Sequence, residues 1–181
     1  LKVDGMRVVY IYDATKNADQ ATVLRIRKMA VLNGISDPLY FIGMGYTNAN
    51  AALAGAGVGM NAASFYSVGA SAEAESYQTL AQRNIEYLEK ILNASKIIPT
   101  GAMATLGRNT QPRIVNPVSW TKPTATKLAY SGWYVKDGTN EEIGKHVLDV
   151  LNWNKKNADK TRPNLMIMYS WNEFDEGGWL C

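Results

Sequence analysis

The apolar positions of this chain change their period along its length, and each change marks a new element. Met6 to Tyr12 (Met-Arg-Val-Val-Tyr-Ile-Tyr) is a β-branched and aromatic run that predicts a strand. Ala21 to Leu32 switches to helical spacing, with Val23, Ile26, Ala30 and Val31 near one face. Leu39 to Met44 predicts a second strand. Thr47 to Gly59 is rich in Ala and Gly, so it predicts a short helix that packs closely but is weakened by its glycines. Ala63 to Val68 predicts a third strand. Glu73 to Leu92 is the clearest helix, with Tyr77, Leu80, Ala81, Ile85, Leu88, Ile91 and Leu92 at helical spacing and charges between them. Lys96 to Ala102, interrupted by Pro99, predicts a fourth strand. From Met103 to about Lys136 no period holds, and Pro112, Pro117 and Pro123 with Trp120, Tyr130, Trp133 and Tyr134 mark a long ordered loop. Thr139-Asn140-Glu141-Glu142 is a capping box that starts the last helix, running to about Lys155. Pro163 then precedes Leu165 to Ser170, whose near-continuous apolar character predicts a final strand covered on both faces.

Strands alternating with helices imply a parallel sheet. Five strands on this pattern fit an open doubly wound sheet or part of a barrel. A dinucleotide-binding sheet would carry a Gly-rich turn after its first strand, and Tyr12-Asp13-Ala14-Thr15 stands there instead.

The chemistry is concentrated immediately after the last strand, in Trp171-Asn172-Glu173-Phe174-Asp175-Glu176-Gly177-Gly178-Trp179. In α/β folds ligands bind at the C-terminal ends of strands. A turn after Glu173 would bring Glu173 and Glu176 to one concavity between tryptophans able to stack on a sugar ring. The alternative is a solvated acidic loop, which explains the carboxylates but neither the tryptophans nor the Gly-Gly pair. Glycosidic cleavage needs an acid for the leaving oxygen and a second carboxylate to support or attack the sugar carbon, and this pair meets that need.

Other chemistry is thin. His146 is the single histidine and sits in a helix, where a surface or packing role is expected; a Ser-His-Asp triad and a zinc site both lack residues. Glu173, Asp175 and Glu176 lack the regular ladder of a hard-cation site, so no metal and no cofactor are expected. The net charge of +3 is small and unclustered, which argues against nucleic acid as a partner. No apolar run approaches the roughly 20 residues that cross a bilayer, so membrane insertion is not expected. Cys181 is the only cysteine, which excludes a disulfide within these 181 residues.

Trp171 to Leu180 resembles the Trp-Asn-Glu-(aromatic)-x-Glu-Gly motif that closes the barrel in endo-α-mannosidase-like glycoside hydrolases of family 99. It is similar also to that family's relatives: the family 71 α-1,3-glucanases, the WbsX-like proteins of polysaccharide loci, and a bacterial putative xylosidase/arabinosidase group. Leu1 to Gly5 with Val8 to Tyr12, Ala62 to Ser67, and Gly107 to Arg113 with Asn116 to Trp120 resemble other segments of these proteins in the same order. The resemblance implies a TIM (β/α)8 barrel, of which residues 1–181 would be a single catalytic-domain fragment, the C-terminal five or so βα units, monomeric when full length. It implies an extracellular or periplasmic setting and an oligosaccharide or polysaccharide substrate.

Carried over position by position, the resemblance gives Glu173 the role of a base on the substrate's own 2-hydroxyl and Glu176 the role of general acid, then base. It places Trp171, Asn172, Trp179, Tyr66, Tyr12, Arg113 and Asn109 in contact with substrate. Arg108-Asn109 stands where the family usually has Trp-Asp, which removes an aromatic wall and a carboxylate. Two other classes remain open at this point: a glycosyltransferase or polysaccharide-assembly protein, and a non-catalytic carbohydrate-binding barrel.

Overall fold

A computed structural model describes residues 1–36, 38–71, 74–94, 96–109, 111–112, 134–169, 172–173 and 178–179. The main sheet takes its strands in chain order: β1 (Lys2–Val3), β2 (Met6–Ile11), β3 (Leu39–Met44), β4 (Ala62–Ser64), β5 (Thr100–Thr105) and β6 (Thr161–Tyr169). β1 and β2 are antiparallel and joined by Asp4-Gly5, both at positive φ (49° and 78°), the backbone that a two-residue hairpin demands. β2 pairs parallel with β3, β3 with β4, and β4 with β5. Between β5 and β6 the bonds Thr100 N to Lys160 O and Leu106 N to Tyr169 O advance together along both strands, the sense of a parallel pair.

The strand order never reverses, so the sheet has no switch point of the doubly wound kind. At the start of β6, Arg162 reaches Asp4 of the β1–β2 turn at 2.7 Å. The tyrosine hydroxyl of Tyr40 on β3 donates to the Arg162 carbonyl at 3.4 Å. Contacts between the first and last strands of the order require a curled sheet, and the fold is therefore mixed α/β with a mostly parallel, barrel-like sheet.

Among the described residues five helices accompany it: α1 (Ala14–Asn17), α2 (Gln20–Leu32), α3 (Ala49–Gly57), α4 (Tyr77–Leu92) and α5 (Asn140–Lys156). The starts of α2 to α5 are set by side-chain caps, whereas Asp13 before α1 makes no such bond. Asp19 accepts from Thr22 N at 2.7 Å, Asn48 from Ala51 N at 3.0 Å, and Ser76 from Thr79 N at 3.2 Å. Thr139 and Glu142 form the expected reciprocal capping box, with Glu142 N on Thr139 Oγ1 and Thr139 N on Glu142 Oε2.

The chain divides into two compact units. In the first (residues 1–66, 86–103 and 151–166), β3 is buried throughout, and Tyr40, Ile42 and Ala62 gather Val3, Met6, Val8 and Tyr10 around them. Tyr46 is buried between two glycines: a Cβ added at Gly43 or Gly55 would lie 2.5 Å or 2.6 Å from its ring, so both positions require glycine. In the second (residues 67–85, 104–150 and 167–181), the end of β5 is fixed through Thr105. Its N–H donates to Asn84 Oδ1, its hydroxyl accepts from Val68 N, and its carbonyl accepts from the Tyr77 hydroxyl.

Several boundaries differ from the sequence expectation. The third strand stops at Ser64 instead of Val68, and Val68 is buried from the loop that follows. The fourth begins at Thr100, after Pro99, whose carbonyl accepts from Ala63 N while its ring nitrogen has no hydrogen to add to the ladder. Pro163 lies within β6, which ends the strand order, and an edge strand tolerates proline. β6 is also not covered on both faces as expected: Met168 is 45% exposed.

Helix α4 starts at Tyr77, four residues later than expected, because Glu75 is held elsewhere. On α2, Val23 is buried as expected, but Ile26 and Val31 are exposed. The inward line instead runs through Val23, Arg27 and Ala30. Trp120, Tyr130 and Trp133 of the expected long loop lie outside the described residues.

Candidate active site

Tyr12 directly follows β2 and Tyr66 follows β4 by two residues, both in the first unit. Their rings meet edge to face at 4.6 Å and 77°, and Tyr12 is 60% exposed. The sequence reading named both as sugar contacts, and the fold brings them together as one exposed aromatic pair.

In the second unit β5 and β6 run out side by side. The Arg108 Nη1 donates to the hydroxyl of buried Tyr169 at 2.5 Å, and the guanidinium carbon lies 5.8 Å from the ring centroid. Arg108 is pinned on its main chain too, where its carbonyl accepts from Val135 N at 2.9 Å. Asn109 turns its side chain back on its own loop and accepts from Gln111 N at 3.0 Å. Arg108 thereby ties the exit of β5 to the last residue of β6.

Beyond Tyr169 the chain makes a small antiparallel ladder, β7 (Asn172–Glu173) with β8 (Gly178–Trp179), in the register Asn172↔Trp179 and Glu173↔Gly178. β7 and β8 therefore run in opposite directions, with Glu173 opposite Gly178. Trp171, Arg113 and Glu176 lie outside the described residues, as do the side chains of Asn172, Glu173 and Trp179.

One charged group that the sequence reading passed over is spent on structure. Glu75, in the loop between β4 and α4, accepts from Ser71 N at 3.1 Å, Ser71 Oγ at 2.9 Å and Arg83 Nη1 at 3.0 Å, with a second bond from Arg83 Nη2. Arg83 also donates to Gly69 O and Ser71 Oγ, both at 2.6 Å. Burial pushes the Glu75 carboxyl up, but the Arg83 and Ser71 hydrogen bonds outweigh it and hold the group below the usual carboxylate range. The pair fastens the loop after β4 and is not available for acid–base work. Periodicity could not find it, because its partners are fixed by the loop's fold rather than by spacing.

No protein-family model, curated protein or solved structure matches this chain.

Proposed function

We propose that this protein is a glycoside hydrolase of the family 99 and 71 kind, cleaving α-linked glycans with Glu173 and Glu176 as its carboxylate pair. The observation that carries the reading is the chain reversal after β6. The Glu173↔Gly178 pairing puts Glu173 at the mouth of a four-residue connection that contains Glu176. Three residues of chain span at most about 11 Å, which bounds the separation of the two Cα atoms and keeps both carboxylates on one short connection. Strand ends in a parallel sheet are where such chemistry is built.

Glu173 takes the proton of the substrate's 2-hydroxyl, which attacks the anomeric carbon and gives a 1,2-anhydro sugar. Glu176 protonates the departing glycosidic oxygen, then deprotonates the water that opens the anhydride. Trp171 and Trp179 flank the loop as stacking surfaces, and Asn172 and Arg113 serve as polar contacts. No described helix is long and apolar enough to cross a membrane, which fits a polysaccharide substrate met in solution.

The test is hydrolysis of α-mannan, α-1,3-glucan and an aryl α-glycoside by the protein and by Glu176→Gln. The variant loses cleavage of the unactivated glycans and keeps part of its activity on the aryl glycoside, whose leaving group needs no proton. Equal loss on both removes Glu176 from the acid role, and no cleavage by the parent protein overturns the reading.

A further inference from the structure

We infer that the cleft between α4 and α5 in the second unit binds a small organic monocation, a primary ammonium carried on an apolar stem. The inference is independent of the Glu173 and Glu176 pair and of any glycan chemistry. The cleft encloses about 260 Å³, and its lining residues all belong to the second unit. They run from Gln78 to Ile85 on α4 and from Glu142 to Asp149 on α5, roughly 10 Å along each helix at 1.5 Å of rise per residue. Ala81 and Ile85, both half-buried, supply an aliphatic wall along that length.

The charge of the lining decides the ligand class. Lys145 is matched, with its Nζ on Asp149 at 2.5 Å. Glu142 is not. Its Oε1 accepts from Gln78 Nε2 and its Oε2 from Thr139 N at 2.8 Å; these are its carboxylate's hydrogen-bond partners among the described residues, and neither is a cation. Burial lowers the His146 pKa to about 4, so the imidazole is neutral near pH 7 and adds no positive charge. Two carboxylates therefore face one ammonium, and the lining carries one negative charge in excess. The N-terminus of α5 offsets about half a charge, and Glu141 shares that turn with Glu142.

An ammonium group completes this arrangement. A carboxylate offers about four acceptor positions, of which two are filled on Glu142, and an ammonium brings three donors and the missing charge. The stem lies against Ala81 and Ile85, where it removes apolar surface from water on both sides. A cavity of roughly 150 Å³ holds benzene, so this cleft admits a six-carbon stem. An anion of the same size is repelled by Glu142, and a neutral molecule gains the apolar contact without the charge pairing.

The experiment reads the cleft through His146, which borders it and is the single histidine, so every imidazole signal in an NMR spectrum of the chain reports on this place. n-Hexylammonium, titrated into the full chain at pH 7 and low salt, shifts those signals saturably, with a Kd on the order of 1 mM as expected for seven heavy atoms. 1-Hexanol, of the same size without the charge, binds at least about fivefold more weakly, and hexanoate gives no saturable shift. Glu142→Gln removes the charge and keeps a side chain that serves the capping box, so α5 stays folded by circular dichroism while n-hexylammonium binds no better than 1-hexanol. Ala81→Leu narrows the cleft and weakens both ligands. The inference is overturned if n-hexylammonium gives no saturable shift, if 1-hexanol or hexanoate binds as tightly, or if either variant binds n-hexylammonium as the parent does.

Discussion

Helices α2 and α4 both present one side to the interior, but they do so with different chemistry. On α4 the inward side is a largely apolar stripe: Tyr77, Leu80, Leu88 and Ile91 are buried at helical spacing around the buried amide of Asn84. On α2 the inward side is anchored by a cation. Arg27 donates to Leu39 O at 2.6 Å, Gly59 O at 3.3 Å and Asn61 Oδ1 at 3.0 Å, and its guanidinium lies 4.6 Å over the Phe41 ring. Asn61 Oδ1 also accepts from Phe41 N at 2.9 Å, so the arginine, the asparagine and β3 form one network. The apolar residues of α2 are left over: Leu24, Met29, Val31 and Leu32 are exposed, the last two at 68%. Apolar periodicity therefore locates a buried face only where apolar side chains make it. Where a hydrogen-bonded arginine makes it, the pattern points the wrong way.

The sharpest test of this contrast is Leu88→Ala on α4, which should cost about 3 kcal/mol in urea unfolding because a fully buried leucine leaves a cavity. A loss under half that would mean the stripe is not the anchor of α4.

The next effect is acid-dependent and probes a buried polar residue packed against α4. Burial, with a small contribution from Lys145 and opposed by Asp149, holds His146 near pKa 4, against 6.5 when unfolded. A proton is then taken up by the unfolded chain first, so this contribution to stability is complete above pH 6.5, declines as pH falls to about 4 and is flat below. The full decline is about 3 kcal/mol from a shift of some 2.5 units. The difference between parent and His146→Gln stability, measured from pH 7.5 to 4, isolates it from the carboxylates; a pH-independent difference contradicts the burial argument.

On α2, Arg27→Ala should cost about 2 kcal/mol, from three hydrogen bonds and the aromatic contact. Arg27→Met, which keeps the apolar stem, should lose nearly as much. If Met proves silent, packing rather than hydrogen bonding holds α2, and the two helices are alike after all. The smallest effect is expected at the exposed positions: Leu24→Ser and Leu32→Ser should each change stability by less than about 0.5 kcal/mol.

The candidate site divides along a similar line. Glu173 could be named from the sequence because a carboxylate pair between tryptophans after an apolar strand is a local signal. The Asp4-Gly5 turn between β1 and β2 was not among the expected elements, although its two positive-φ residues are neighbours in the chain. Arg108 could not be paired with Tyr169 in this way. Sixty-one positions separate them, and only the adjacency of β5 and β6 makes them partners.

The sequence alone determined five of the six strands of the main sheet, the longer helices between them and the Thr139 cap; β1, α1 and the β7–β8 ladder were not among its expectations. Each depends on residues close along the chain, whose side-chain period and backbone preference act locally. Tertiary structure decided which charges are structural and which faces are buried. Glu75 was drawn out of the α4 helix by Arg83, α2 was turned on Arg27, and His146 was enclosed against Tyr77 without a hydrogen-bond partner. These outcomes depend on partners distant in sequence, and the cost or gain of burying a polar group is set by whether those partners arrive.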